Sequence, residues 1–328
     1  MIITKTPFRV SFFGGGTDYP DYFHEFGGSV VSTSINHYMY ITVKPILGVS
    51  DYKYRVAYSK LEICDDVNDI QHPVVREAIK LLGIEHGLEI NIISDLPART
   101  GIGSSSSFTV GLLNALYTMQ GISKSKHELA LAAINMEQVI LGERVGVQDQ
   151  LAAAHGGLNH MQFSASDLKV QALTLNHQRS LALQSNLLMF YTGISRFASE
   201  ILEEQVKNTQ EKKVNVELSD IHAMVAEGIG ILQNTDTDLD DFGRLLHKAW
   251  MTKKKLSASI SNTHLDDIYN RATAAGALGG KLLGAGGGGF FVFYVPAAQQ
   301  NAVRKALADL KEVIFEFEDE GASVLYKS

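Results

Sequence analysis

Residues 96–117 read LPARTGIGSSSSFTVGLLNALY, and the two halves of this stretch have opposite characters. Up to Ser107 it is mostly glycine, serine and turn residues. Beyond it, Phe108, Leu112, Leu113, Leu116 and Tyr117 recur at the spacing of one helix face. A helix leaves the N–H groups of its first turn without partners and carries the positive end of its dipole there. Gly101 and Gly103 let the backbone approach a ligand with no Cβ in the way, and Ser104 to Ser107 add hydroxyl donors. Together these features make an anion site, best suited to a polyphosphate. Alone, the same residues would also serve as a serine-capped helix behind an ordinary loop.

The familiar nucleotide loops do not fit. No lysine follows these glycines, as a Walker A loop requires. The one G-x-G-x-x-G match, Gly284, Gly286 and Gly289, enters the apolar run FFVFYV, whereas a dinucleotide loop opens a helix. There is no G-x-S-x-G elbow for a hydrolase serine.

Outward from the loop, ITKTPFRVSFF, SVVSTSINHYMYITVKPI, YKYRVAYS and GLEINIISDLPA have strand character, and HPVVREAIKLLGI and KHELALAAINMEQVILGE have helix character. The pattern restarts at NLLMFYTG, then SRFASEILEEQVKNTQ predicts an amphipathic helix. NTQEKKVNVELSD is expected as a mobile polar loop, and VIFEFEDEGASVLYK as closing strands. A chain of 328 residues predicts two domains, here 1–180 and 181–328. A net charge of −7 with no basic block argues against a nucleic-acid partner. The single Cys64 suits a reducing compartment, and no apolar run is long enough for a membrane span, so a cytoplasmic protein is expected. A zinc enzyme has only His155 and His160 close together, a poor ligand spacing.

Four stretches, in order, carry a resemblance: TPFRVSFFGGGTDY, PARTGIGSSSS, MEQVILGERVGVQDQ and KLLGAGGGGFFVFY. Together they span about residues 4 to 294 and resemble the motifs of the GHMP kinase superfamily, which includes galactokinase, homoserine kinase and mevalonate kinase. The resemblance implies an α+β fold, with an N-terminal domain like the second domain of ribosomal protein S5 and a ferredoxin-like C-terminal domain. It also implies an ATP-dependent kinase using Mg²⁺. Gly101, Ile102, Gly103, Ser104, Ser105 and Ser106 would cradle the ATP phosphates, and Ser105 and Glu137 would hold the metal. Asp149 would take the acceptor's proton, with Arg9 beside it to keep it ionised and to stabilise the transferring charge. Gly15, Gly16, Thr17, Asp18 and Tyr19, with Gly286 and Gly287, would face the acceptor.

Galactokinase-like members carry Gly-Glu-His-Thr-Asp-Tyr where this chain has Gly14-Gly15-Gly16-Thr17-Asp18-Tyr19. Losing two side chains there opens space for a longer acceptor. FFGGGTDYPDYFHEFGG, IQHPVVREAI and FYTGISRFASEIL resemble a bacterial subfamily, the D-glycero-D-manno-heptose 7-phosphate kinases, which phosphorylate the anomeric oxygen. A 7-phosphate needs cationic or amide partners. Arg196 is the first choice, with His72, Arg76, Arg99 and Lys253 behind it. The alternatives are an unphosphorylated sugar such as fucose, or a non-catalytic sugar-binding regulator on the same scaffold. The expected partners are thus ATP and a small sugar phosphate, with no nucleic acid and no membrane, and the chain is expected to be a monomer or homodimer.

Overall fold

The first strand begins half covered and ends fully covered. In β1 (Ile2–Phe13) burial alternates over the first four residues, and from Thr6 onward every residue is buried. A strand closed on both faces obliges its polar members, Arg9 and Ser11 among them, to find partners inside the protein. The structure, a computed structural model, describes residues 1–48, 50–194, 204 and 206–328.

After α1 (Pro20–Phe26) comes β2 (Gly28–Pro45), whose length organises the first sheet. One edge pairs antiparallel with β1. Further elements follow in order: β3 (Tyr54–Ala57), β4 (Leu61–Cys64), α2 (Pro73–Leu81), β5 (Leu88–Ser94), α3 (Ser104–Met119) and α4 (Lys126–Ile134). Then come α5 (Gln148–His155), β6 (Leu158–Phe163) and β7 (Leu168–Ala172). The second half of β2 pairs with β5 and its first half with β6. The stretch KHELALAAINMEQVILGE is not one helix: α4 gives way to a π turn over Asn135–Ile140, which carries Glu137. Helix α3 lies across β1 and β2 with Phe108, Leu112, Leu113 and Leu116 buried. Burying each such side chain stabilises by about 1.5–3 kcal/mol.

The second half runs through α6 (His177–Ser185), β8 (Leu187–Tyr191), α7 (Asn215–Gln233), α8 (Asp240–Lys253) and α9 (Thr263–Ala274). It continues with β9 (Gly279–Leu282), β10 (Phe290–Tyr294), α10 (Gln300–Ala306) and β11 (Lys311–Val313). These four strands form an antiparallel sheet ordered β11-β8-β10-β9. Counted within the sheet that order is 4-1-3-2, with helices in the crossovers, which is the ferredoxin-like arrangement implied by the sequence resemblance. Its core is aromatic: Trp250, Tyr269, Phe291 and Phe293 pack ring on ring.

One expectation fails here. Residues 208–220 are not a mobile loop: they finish one helical stretch, turn, and begin α7, with Lys212 bonded to Glu25 at 2.6 Å and Gln210 to Asp21 at 3.0 Å. The closing strands β12 (Phe317–Glu318) and β13 (Ser323–Lys327) do not stay in the second sheet. They return to the first, β13 against β1 and β12 against β2. A cut at residue 180 therefore separates the first sheet from two of its own strands. No helix among the described residues is long and apolar enough to cross a membrane.

Candidate active site

One large cleft gathers the sequence motifs. Its volume, about 1640 Å³, exceeds that of a pocket for one small ligand and suits a nucleotide with a second molecule beside it. At its centre is the start of α3. Gly103 caps the helix at φ 77°, and no side chain takes the capping bond. The free N–H groups there are left for a ligand, as the anion reading requires. Gly101, at φ 80°, is a contact glycine: a Cβ there would stand 2.3 Å from the Leu283 carbonyl oxygen. The glycine-rich turn after β9 is thus packed against the underside of the loop. Gly101, Gly103, Ser104, Ser105 and Ser106 line the cleft. Ile102 instead points into the core, its carbonyl accepting the Arg9 N–H at 3.1 Å.

Arg9 and Asp149 meet in a two-point bond. Nε and one terminal nitrogen of the guanidinium donate to the two carboxylate oxygens, each at 2.9 Å. The other terminal nitrogen donates to the Gly101 carbonyl. Arg9 is buried, whereas the Asp149 side chain keeps 26% of its surface, so the carboxylate faces the cleft. It sits in the first turn of α5.

The Gly14–Tyr19 loop is fixed by a ladder of bonds. Ser11 Oγ donates to Gln148 Oε1 and Gln148 Nε2 donates to Asp18 Oδ2, both at 2.8 Å, while the Gly16 N–H donates to Asp18 Oδ1 at 2.9 Å. Both Asp18 oxygens are thus already engaged. Burial pushes its pKa up, with the Asp149 charge adding to the effect, and the Gly16 and Gln148 bonds hold it back. Gly15, Gly16, Asp18 and Tyr19 line the cleft. Thr17 turns inward, its hydroxyl between the Gly14 and Ser29 carbonyls at 2.8 and 3.0 Å. Gly286 lines the cleft too, whereas the Gly287 N–H is spent on the Ile260 carbonyl at 2.9 Å.

Glu137 is buried at the cleft floor. Its Oε2 accepts from Ser106 Oγ at 2.9 Å and from Gln150 Nε2, while Oε1 has no hydrogen-bond partner. Burial pushes its pKa up to about 7, against the opposing effect of the Thr109, Gln150 and Ser106 side chains. A buried carboxylate with an unused oxygen is costly unless a proton or a cation meets it, so the residues fit a divalent ion. The hydroxyl against Glu137 belongs to Ser106; Ser105 lies on the exposed side of the helix. Among the described residues there is no cluster of three or more His, Cys, Asp or Glu that could hold a metal. An ion here would complete its shell with phosphate oxygens and water, as Mg²⁺ does.

Of the residues put forward for a distal phosphate, Arg196 lies outside the described residues. Arg76 bonds Glu77 and the Ile70 carbonyl, each at 2.8 Å, and does not line the cleft. Arg99 lies on the rim. His72 belongs to an aromatic wall, its ring 5.1 Å from Tyr58 and 4.7 Å from Phe108. Met39, Val74 and Ile92 extend that wall. No single sequence motif marked it as a wall, because its members are far apart in the chain, from Met39 to Phe108. Lys253, at the end of α8, is buried beside the reacting groups, and its ammonium donates to the Gly284 carbonyl.

Comparison with known proteins agrees with this geometry. The GHMP kinases N terminal domain matches residues 72–157, and the GHMP kinases C terminal domain matches residues 230–312, together about half of the chain. A D-glycero-alpha-D-manno-heptose 7-phosphate kinase of Campylobacter jejuni is 29% identical, over 98% of this chain and 97% of that one. The galactokinase of Pyrococcus furiosus is 26% identical, over 96% and 94%. Among solved structures, a D-glycero-D-manno-heptose 1-phosphate kinase from Bacteriodes thetaiotaomicron superposes over 100% of both chains with a TM-score of 0.75 and 25% identity. With motifs, fold and cleft in agreement, the chain belongs to the GHMP kinases.

Proposed function

We propose that this kinase transfers the γ-phosphoryl group of ATP to the anomeric hydroxyl of D-glycero-D-manno-heptose 7-phosphate, giving the 1,7-bisphosphate. The observation that carries the chemistry is the Arg9–Asp149 pair, set beside a helix N-terminus whose N–H groups are free. The acceptor hydroxyl lies against Asp149, which takes its proton as the new O–P bond forms and the bond to ADP breaks. Arg9 holds that carboxylate in place through its two-point bond, and the α3 N–H groups hold the phosphates in line. Glu137, with the Ser106 hydroxyl against it, would hold Mg²⁺, which would supply neutralisation of the phosphate charge. An anomeric hydroxyl is more acidic than an ordinary alcohol, which suits a single carboxylate base.

Support for the heptose comes from the two heptose-phosphate relatives and from the glycines at positions 14–16. The relatives' names differ in where the sugar carries phosphate, so the anomeric assignment is tested directly. Nucleoside diphosphate release is measured with Mg-ATP against heptose, its 7- and 1-phosphates, fucose and galactose, with phosphorus NMR of the product. Turnover of the 7-phosphate with an anomeric phosphate signal is expected. Turnover of a free sugar alone would overturn the 7-phosphate reading. A non-catalytic regulator is disfavoured by the assembled Arg9, Asp149 and Glu137.

A further inference from the structure

Two buried cations line the cleft, Arg9 and Lys253. They differ in what they have left to give. The Arg9 guanidinium is engaged through Nε and both terminal nitrogens, on Asp149 and Gly101. The Lys253 ammonium carries three protons and places one on the Gly284 carbonyl, which leaves donors for a ligand. Gly284 itself packs on Gly101: a Cβ on Gly284 would stand 2.5 Å from the Gly101 Cα. The ammonium is therefore held at the seam between the phosphate loop and the glycine-rich turn, with Arg9, Asp18 and Asp149 around it. Lys281, the other buried lysine nearby, donates to the Phe12 carbonyl at 3.1 Å and does not line the cleft.

We infer that Lys253 is a catalytic residue that donates to a non-bridging oxygen of the phosphoryl group in flight, and not an anchor for a distal phosphate. The inference rests on the kinase reading above, but not on the identity of the acceptor. As the acceptor oxygen bonds to phosphorus and the bond to ADP breaks, the acceptor proton goes to Asp149. Lys253 stays protonated throughout and compensates the negative charge on the equatorial oxygens. Burial and the neighbouring Arg9 press its pKa down to about 8, against the pull of Asp18 and Asp149. Lys281, on β9, is pushed well below the ordinary lysine range by burial, with Lys253 and Arg9 adding to the effect. The Lys253 ammonium is thus required charged in a range where it can lose its proton.

The test uses Lys253→Met and Lys253→Arg, with whichever sugar of the panel the wild type phosphorylates. For Lys253→Met, kcat is expected to fall about 10²-fold or more, with calorimetric MgADP affinity within about twofold of wild type. The wild-type kcat/KM for the acceptor should fall as pH rises through about 8, and Lys253→Arg should lose that limb. A rise only in the KM for a sugar phosphate would make Lys253 a distal-phosphate ligand and overturn the inference. So would MgADP affinity falling in step with kcat, or the same limb in wild type and Lys253→Arg. A wild type silent toward the whole panel would fail the acceptor reading alone. In that case calorimetry of MgADP with aluminium fluoride decides: the fluoride should tighten binding in the wild type and not in Lys253→Met, and equal behaviour overturns the inference.

Discussion

The two ends of the cleft are built on different principles. At one end Arg9 is locked to Asp149, and Ser106 to Glu137, by hydrogen bonds of 2.9 Å. At the other, Tyr58, His72 and Phe108 meet ring to ring, with Met39, Val74 and Ile92 completing an apolar wall. The polar end works only if each atom is in place, since a misplaced donor leaves a buried group unpaired. The apolar end needs area and shape, which several residue types supply. One end should therefore fail steeply on substitution and the other gradually.

Asp149→Asn is the sharpest way to break this contrast. It should lower kcat by at least about 10²-fold, through loss of the base, while MgADP affinity measured by calorimetry changes little. Near-normal turnover would remove Asp149 from proton transfer. Glu137→Gln should cost about 10²-fold at saturating ATP and abolish the response to Mg²⁺ concentration. The same residue predicts a pH dependence. Its folded pKa, about 7, lies above its ordinary 4.5. Its contribution to stability without metal is therefore fully present below about pH 4.5 and is lost as pH rises through about 7. Mg²⁺ competes with that proton, so the rise in Tm on adding Mg²⁺ should grow from about pH 6 to about pH 8 and vanish in Glu137→Gln.

Smaller effects sharpen the comparison within each end. Ser106→Ala should cost about tenfold in kcat and Ser105→Ala no more than about threefold, because only Ser106 meets Glu137. The reverse order would return the metal site to Ser105. An aromatic wall beside a phosphate cradle suits the flat base of the nucleotide, so at the apolar end Tyr58→Ala should raise the KM for ATP by about three- to tenfold with kcat unchanged, the signature of lost uniform binding. A fall in kcat without a rise in KM would mean that this wall does not hold the nucleotide.

What the sequence disclosed follows the same division. That Gly101, Gly103, Arg9 and Asp149 share one cleft was legible because each is a particular residue type at a fixed place in an ordered motif. Glu137 was legible as a motif residue, but its partner was not: which serine of four faces it depends on the phase of α3 and on the π turn. Thr17, Ile102 and Gly287 sit inside motifs, yet the Thr17 hydroxyl, the Ile102 side chain and the Gly287 N–H are turned to partners within the protein, which burial and hydrogen bonding reveal and spacing does not. Lys253 and His72 were legible only as basic residues that could meet a phosphate; the aromatic wall and the seat of Lys253 beside Asp149 were not, because long-range packing brings each to the cleft. The strands and helices were mostly legible from apolar periodicity. The placement of β12 and β13 was not, since nothing in their composition says which sheet they join.

That placement bears on how the protein is made. Domains generally fold N-terminal first as the chain leaves the ribosome, at about 5–20 residues per second. Here the outer neighbour of β1 is β13, and the chain between Phe13 and Ser323 must be synthesised first, which takes roughly 15–60 s. For that interval the nascent first sheet has an open edge able to pair with other chains. Completion of the sheet waits for β13, and until that strand arrives the edge of β1 is protected by nothing in its own sheet.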